Sequence, residues 1–172
     1  MDDKKALKYL IDINKVSLED ALSMLDKISS DLYHKKLSVI HNNSISMHFR
    51  HIDDFWSCFY AGLQSKKLNY NNRNRSKELE SSKDKMQKKI TLTIKLLKDI
   101  FETTLRVEDE LIKPGSIIEI DSNTNREMLF LYEHTIHHIY IIRMVLNSLG
   151  IKIGNKNIGY NLSTIEKIKC AL

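Results

Sequence analysis

The sequence predicts a mainly α-helical chain: a four-helix bundle with a long crossover between helices two and three, and a small two-stranded β-ribbon before the last long helix. Three observations predict it. Only five glycines and one proline serve 172 residues, too few for the many turns of a sandwich, barrel or propeller. Apolar residues recur at three- and four-residue steps over long stretches. One long polar connection interrupts them, of a length that crosses from one end of a bundle to the other.

The elements follow in order. Leu7, Leu10 and Ile11 lie on one side of a short N-terminal helical segment. Ser17 with Asp20 three residues on resembles a capping box, and Leu18, Ala21, Leu22, Leu25 and Ile28 follow at helical spacing, which predicts a helix over 17–30. Asp31 to Asn43 breaks the period. Asn42, Asn43 and Ser44 then offer caps for a second helix carrying Ile45, Phe49, Ile52, Phe55, Trp56, Phe59 and Leu63, ending near 62–65. The polar stretch from Lys66 to Arg75 is the crossover. Met86, Ile90, Ile94, Leu97, Phe101 and Leu105 trace a third helix. Lys113-Pro114-Gly115-Ser116 has proline and glycine at the centre of a type II turn between Leu111-Ile112 and Ile117 to Ile120, the expected ribbon. Ser122 to Thr124 can cap a fourth helix running to Leu149, with Gly150 as its left-handed stop. A short helix is expected after Ser163-Thr164.

A chain this long removes about 70% of its unfolded surface from water on folding, so it needs no staple. With 42% hydrophobic and 28% charged residues, it falls in the globular range. One domain over 1–172 is expected, with 1–16 as an N-terminal extension and 151–172 as a tail. Two cysteines, Cys58 and Cys170, make no disulfide framework, and Met-Asp-Asp-Lys-Lys lacks the apolar core of a signal peptide, so the expected location is cytoplasmic. Arg143 interrupts the best apolar stretch, Ile136 to Leu149, which argues against a membrane span. Lys plus Arg exceed Asp plus Glu by 27 to 22. The surplus is scattered among acids, without the one-sided basic face or stacking aromatics of a nucleic-acid binder. Nucleophile-elbow, Walker, dinucleotide-glycine and paired CxxC motifs are absent.

The chemistry lies in the histidines. Five of the seven fall into two groups, His48 and His51 on the second helix, then His134, His137 and His138 on the fourth. An i, i+4 pair is offset by only about 40° around a helix, so His134 and His138 can reach one ion. With Leu131, Thr135, Ile142, Val145 and Leu149 taken as the inward stripe, both lie within it, and His137 sits towards Glu133, Tyr140 and Met144. Two imidazoles in an apolar stripe cost roughly several kcal/mol unless their nitrogens are satisfied, and a divalent metal satisfies one of each. A third histidine from the second helix completes the usual count for a zinc-type site with an open position. Periodicity leaves both in play: His48 is nearer the centre of the Ile45, Ile52, Phe55, Phe59 face, and His51 lies on its edge. The competing expectation is hydrogen-bonded core or rim histidines. Cys58 stands roughly 10 Å along the axis from His51, too far to share an ion, and is expected to pack.

Three stretches together resemble the DinB/YfiT-like superfamily: Ser44-Ile45-Ser46-Met47-His48-Phe49-Arg50-His51-Ile52-Asp53-Asp54-Phe55, the crossover Asn69-Tyr70-Asn71-Asn72-Arg73-Asn74-Arg75, and Arg126-Glu127-Met128-Leu129-Phe130-Leu131-Tyr132-Glu133-His134-Thr135-Ile136-His137-His138. They span most of 17–150. The resemblance implies a four-helix bundle binding a divalent metal through one histidine of helix two and an HxxxH pair of the last helix. The family's helix-two ligand stands seven residues after a serine and three before an aspartate, here Ser44, His51 and Asp54. The implied ligands are therefore His51, His134 and His138, with Asp54 as a catalytic base on metal-activated water or as a partner orienting the ligands. Ser46 stands where many relatives have glycine, and Asn71 where an aspartate often follows the tyrosine.

His48 and His137 are expected to line the pocket or to pack. Arg73 and Arg75 can hold a substrate carboxylate bidentately if the crossover folds over the bundle end. Imidazole suits zinc, nickel, copper and iron alike, and of these zinc or nickel is expected. The expected activity is that of a divalent-metal-dependent thiol S-transferase or hydrolase. Its partner would be a small-molecule substrate, a low-molecular-weight thiol by the resemblance, and not nucleic acid or membrane. The alternative is a non-catalytic helical bundle, monomer or homodimer, with structural histidines or a structural metal.

Overall fold

The structure, a computed structural model, describes residues 2–110, 115–155, 157–161 and 164. It is mainly helical, with two small sheets among the described residues. Helix α1 runs Asp3–Asp26, capped by the Asp2 side chain, which accepts from the Lys5 N–H. The expected extension and the expected helix over 17–30 are thus one element. The capping box at Ser17 does not form: its hydroxyl donates back to the Asn14 carbonyl, 2.9 Å away, inside a continuing helix. Leu7, Leu10, Ile13, Leu18, Ala21, Met24 and Leu25 make one buried stripe through the site of the supposed cap, and burying that stripe outweighs the local signal.

The break over 31–43 is filled by α2 (Ser30–His34), β1 (Lys36–Leu37) and β2 (Asn43–Ser44), the two strands pairing antiparallel. Helix α3 spans Ile45–Ser65 and is capped by Ser44, whose hydroxyl accepts from the Met47 N–H. The crossover is partly ordered: β3 (Lys67–Leu68) follows α3 at once, packed so close that a Cβ at Gly62 would stand 2.9 Å from Leu68. Helix α4 (Lys77–Ser81) then precedes α5 (Lys83–Leu96).

The third long helix is shorter than its apolar spacing predicts. After Leu96 the chain tightens into a single 3-10 turn and turns extended at Ile100, leaving Phe101 exposed and Leu105 buried on β4 (Thr104–Asp109). Non-local bonds decide this boundary. Thr124 accepts from the Thr103 N–H and donates to the Phe101 carbonyl. The ribbon is present as β4 paired antiparallel with β5 (Ile118–Asn123), Arg106 opposite Asp121, and β3 adds to it as a parallel third strand. Its described first arm is 104–109; Leu111-Ile112, expected to form that arm, lie outside the described residues. Lys113 and Pro114, the first two of the four residues of the expected type II turn, lie outside the described residues, as does the helix expected after Ser163-Thr164.

Helix α6 spans Thr124–Ser148, capped by Asn123, whose side chain accepts from the Arg126 N–H, and Gly150 takes the expected positive φ of 73°. Leu149, expected inward, is exposed. Helix α1 packs on α6 and α5, and α3 packs on α6 and α5. Polar ties fix three of these four pairings. Asn14 donates to the Met128 carbonyl, Trp56 to the Thr135 hydroxyl, and Tyr60 to the Thr93 carbonyl. The Trp56 tie holds α3 to α6, the two helices that carry the histidines. No helix among the described residues is long and apolar enough to cross a membrane.

Candidate metal centre

His51 of α3 and His134 and His138 of α6 converge. One ring nitrogen from each lies within 4.8 Å of the others, and the ring centroids stand 5.0, 4.6 and 4.8 Å apart for the pairs 51–134, 51–138 and 134–138. Nitrogens around a tetrahedral zinc stand roughly 3.3 Å apart, so a small inward rotation of the rings suffices to share an ion. Helix periodicity stacks His134 over His138, and the Trp56–Thr135 bond brings α3 alongside. All three rings are half-buried beside the buried stripe of α6, at its flank rather than within it as the spacing predicted.

The donors are electrostatically suited to a cation. Burial holds the imidazolium form of His51 down, to about 4, helped by the positive charges that His134 and Arg73 would present. Burial does the same to His134, also to about 4, aided by His137 and Arg73. His138 is depressed further, by burial first and then by the surrounding histidines. Neutral imidazoles with free lone pairs are what a divalent ion requires. His134 Nε2 is buried and has no hydrogen-bond partner. An orphaned buried nitrogen of that kind costs about 1–3 kcal/mol, and metal coordination removes the cost, so the residues fit the group.

His48 joins the cluster at its edge. Its Nδ1 stands 3.0 Å from His138 Nδ1, and its ring is 5.3 Å from that of His138. It is not one of the three whose nitrogens lie within 4.8 Å of one another, and its place is beside His138. His137 is exposed, on the side of Glu133, Tyr140 and Met144 as the helical angle predicts, and its ring touches only the edge of the cluster at His138. A cavity of about 170 Å³ opens over the site, lined by Asn43, Met47, His48, Arg50, His51 and His138.

Asp54 stands outside the group of three. Its carboxylate is buried, with one oxygen accepting from Arg50 and the other from the Arg75 backbone N–H, 3.1 Å away. Arg50 in turn holds Glu80 at 2.9 Å. The i, i+3 spacing from His51 put Asp54 close to the histidines in sequence, but one of its oxygens is paired with Arg50 one turn back on α3 and the other takes the Arg75 N–H of the crossover. Arg75 contributes its main chain there, and its side chain is exposed. Arg73 is half-buried, its guanidinium 5.2 Å over the Phe55 ring. Cys58 is buried, its thiol directed to the Asn72 carbonyl at 3.7 Å and its pKa pushed up by burial, so it packs as expected.

Sequence reasoning missed the wall behind the rings. Phe55 stacks on His134 at 3.9 Å, Tyr70 stacks on Phe55 at 5.0 Å, and Phe130 completes the layer at 5.6 Å from His134. A signal existed, because Phe55 is four residues after His51 and Phe130 four before His134, one helical turn from each histidine. Glu127 was missed as well. Its fully buried carboxylate accepts from Tyr70 at 2.8 Å, from Ser122 and from Arg126, which fastens crossover, ribbon and α6 together under that wall.

Compared with protein-family models, with curated proteins and with solved structures, the chain finds no match in any of the three.

Proposed function

We propose that the chain is a divalent-metal-dependent enzyme of DinB/YfiT-like kind, a four-helix bundle formed by α1, α3, α5 and α6, acting in the cytoplasm as a thiol S-transferase or hydrolase. The observation that carries the reading is the meeting of His51, His134 and His138 from two helices at one point. Those three residues would hold the ion, zinc or nickel, both of which imidazole suits. A bound divalent cation supplies Lewis acidity, lowering the pKa of a thiol or of water so that the nucleophilic anion is available at neutral pH.

The chain's own residues do the rest. His48 orients the His138 ring through the Nδ1 contact. Phe55 and Phe130 keep water from the far side of His134. Met47 and Asn43 line the cavity through which a small thiol and its electrophile would enter. In the transfer, the thiol sulfur forms a bond to the electrophilic carbon, the leaving group departs with the bonding pair, and the thiol proton passes to solvent through the cavity mouth.

The test is elemental analysis of protein purified without a histidine tag, followed by a thiol-transfer screen on the loaded protein. Stoichiometric metal with turnover supports the reading. No metal, and no rise in melting temperature with added zinc or nickel, removes it. One observation favours a second reading, in which the histidines are structural: the aromatic layer and the His48–His138 contact give the rings partners without an ion. A melting temperature indifferent to metal, and unharmed by His134→Phe, supports that reading instead.

A further inference from the structure

Four of the six arginines of this chain hold acceptors, a fifth is solvated, and one is neither. Arg50 pairs with Asp54 and Glu80, Arg106 with Glu119 and Asp121, and Arg126 with Glu127. Arg143 donates to the Ile158 carbonyl and stacks on Tyr160 at 4.4 Å. Arg75 reaches into solvent. Arg73 is half-buried, no carboxylate among the described residues stands within ion-pair distance of it, and its Nε is buried without a partner.

Its position is held from both sides. The Asn72 carbonyl receives the Cys58 thiol at 3.7 Å, and the Arg75 N–H donates to Asp54 at 3.1 Å, so the residues flanking Arg73 are tied to α3. The guanidinium lies 5.2 Å over Phe55, and Phe55 is in van der Waals stacking with His134. A planar cation stacked on a ring, with an unused N–H edge, is pre-arranged for a bidentate oxyanion, carboxylate or phosphate. Asp54 is not that oxyanion, since its oxygens take Arg50 and the Arg75 N–H and it makes no ion pair with Arg73.

We infer that Arg73, stacked over Phe55 beside His51 and His134, is the anion-binding residue for a ligand of this site, so that the substrate carries an oxyanion at one end. The anion site stands on Arg73 alone. Only the identity of the reactive end, a thiol, rests on the metal-enzyme reading.

Two measurements test it on the full chain. In the first, the arginine Nε–H signals of the metal-free protein are followed by NMR while acetate, or separately inorganic phosphate, is titrated against chloride at equal ionic strength. The Arg73 signal, assigned by its loss in Arg73→Gln, should move saturably with an oxyanion and not with chloride, while that of Arg75 stays in place. The anion that saturates at lower concentration identifies carboxylate or phosphate as the natural group. No saturable shift, or the same shift with chloride, overturns the inference. In the second, calorimetry compares N-acetylcysteine with N-acetylcysteamine, which lacks the carboxylate, on zinc-loaded protein. The carboxylate should tighten binding about tenfold or more, a preference abolished in Arg73→Gln and kept in Arg75→Gln. Equal binding of the two thiols, or a preference that survives Arg73→Gln, overturns it. If the protein takes up no zinc, the metal-enzyme reading falls, and the NMR titration still decides Arg73.

Discussion

The Nδ1 atoms of His48 on α3 and His138 on α6 stand 3.0 Å apart. One carries the proton and the other accepts it. When His138 donates, its Nε2 keeps a lone pair for an ion, and His48 fixes both tautomer and ring orientation, the service a carboxylate or carbonyl renders in other histidine metal sites. Removing that partner should weaken metal binding without abolishing it. His48→Ala is expected to lose about 10–100-fold in zinc affinity, read by competition with a chromogenic chelator, and His48→Gln, whose amide oxygen can accept the same proton, should recover most of it. Equal affinity in all three proteins would deny His48 this role.

Asp54 should behave as a structural anion. Asp54→Asn breaks its ion pair with Arg50, but Glu80 stays on that guanidinium, so the expected cost is about 2 kcal/mol in urea unfolding. Zinc stoichiometry should be unchanged. A variant of full stability that has lost its metal would return Asp54 to the site.

Glu127 should matter more to stability than its place in the first turn of α6 suggests. Glu127→Ala strands the Tyr70 and Ser122 hydroxyls in a dry environment and should cost about 3 kcal/mol, seen as a lower urea midpoint at unchanged slope. A loss below about 0.5 kcal/mol, ordinary for a surface substitution, would contradict the clamp.

The metal-free protein should weaken in mild acid. Unfolded histidine binds its proton near 6.5, whereas His51 and His134 hold theirs off until about 4 and His138 until lower still. Between those values the unfolded chain carries more protons, so this contribution is complete above 6.5 and is lost as pH falls towards 4. Asp20 and Asp53 act in the opposite sense. Burial raises both to about 6, so their stabilisation is present at low pH and is lost as pH rises through 6. Three histidines outweigh two carboxylates, and the melting temperature in chelator should fall by several degrees from pH 7 to pH 5. A flat or rising profile would contradict the neutral state of the cluster.

What could be read in the sequence was local. Ser44 and Asn123 were visible as caps because a cap is a contact between residues three apart, and both cap the helices that carry the clustered histidines. The pairing of His134 with His138 was visible for the same reason. Ser17 shows the limit, since its spacing to Asp20 imitates a cap while the buried stripe runs past it. The early end of α5, the addition of β3 to the ribbon and the engagement of Asp54 by the Arg75 main chain all depend on partners far away in sequence, which no periodicity records.

The central claim is that three imidazoles share one divalent ion, and the most direct measurement is zinc and nickel content of untagged protein beside its His134→Ala, His138→Ala double variant. The account predicts close to one ion per chain in the parent and almost none in the variant, with both proteins folded. An ion absent from the parent, or retained in the double variant, would contradict it.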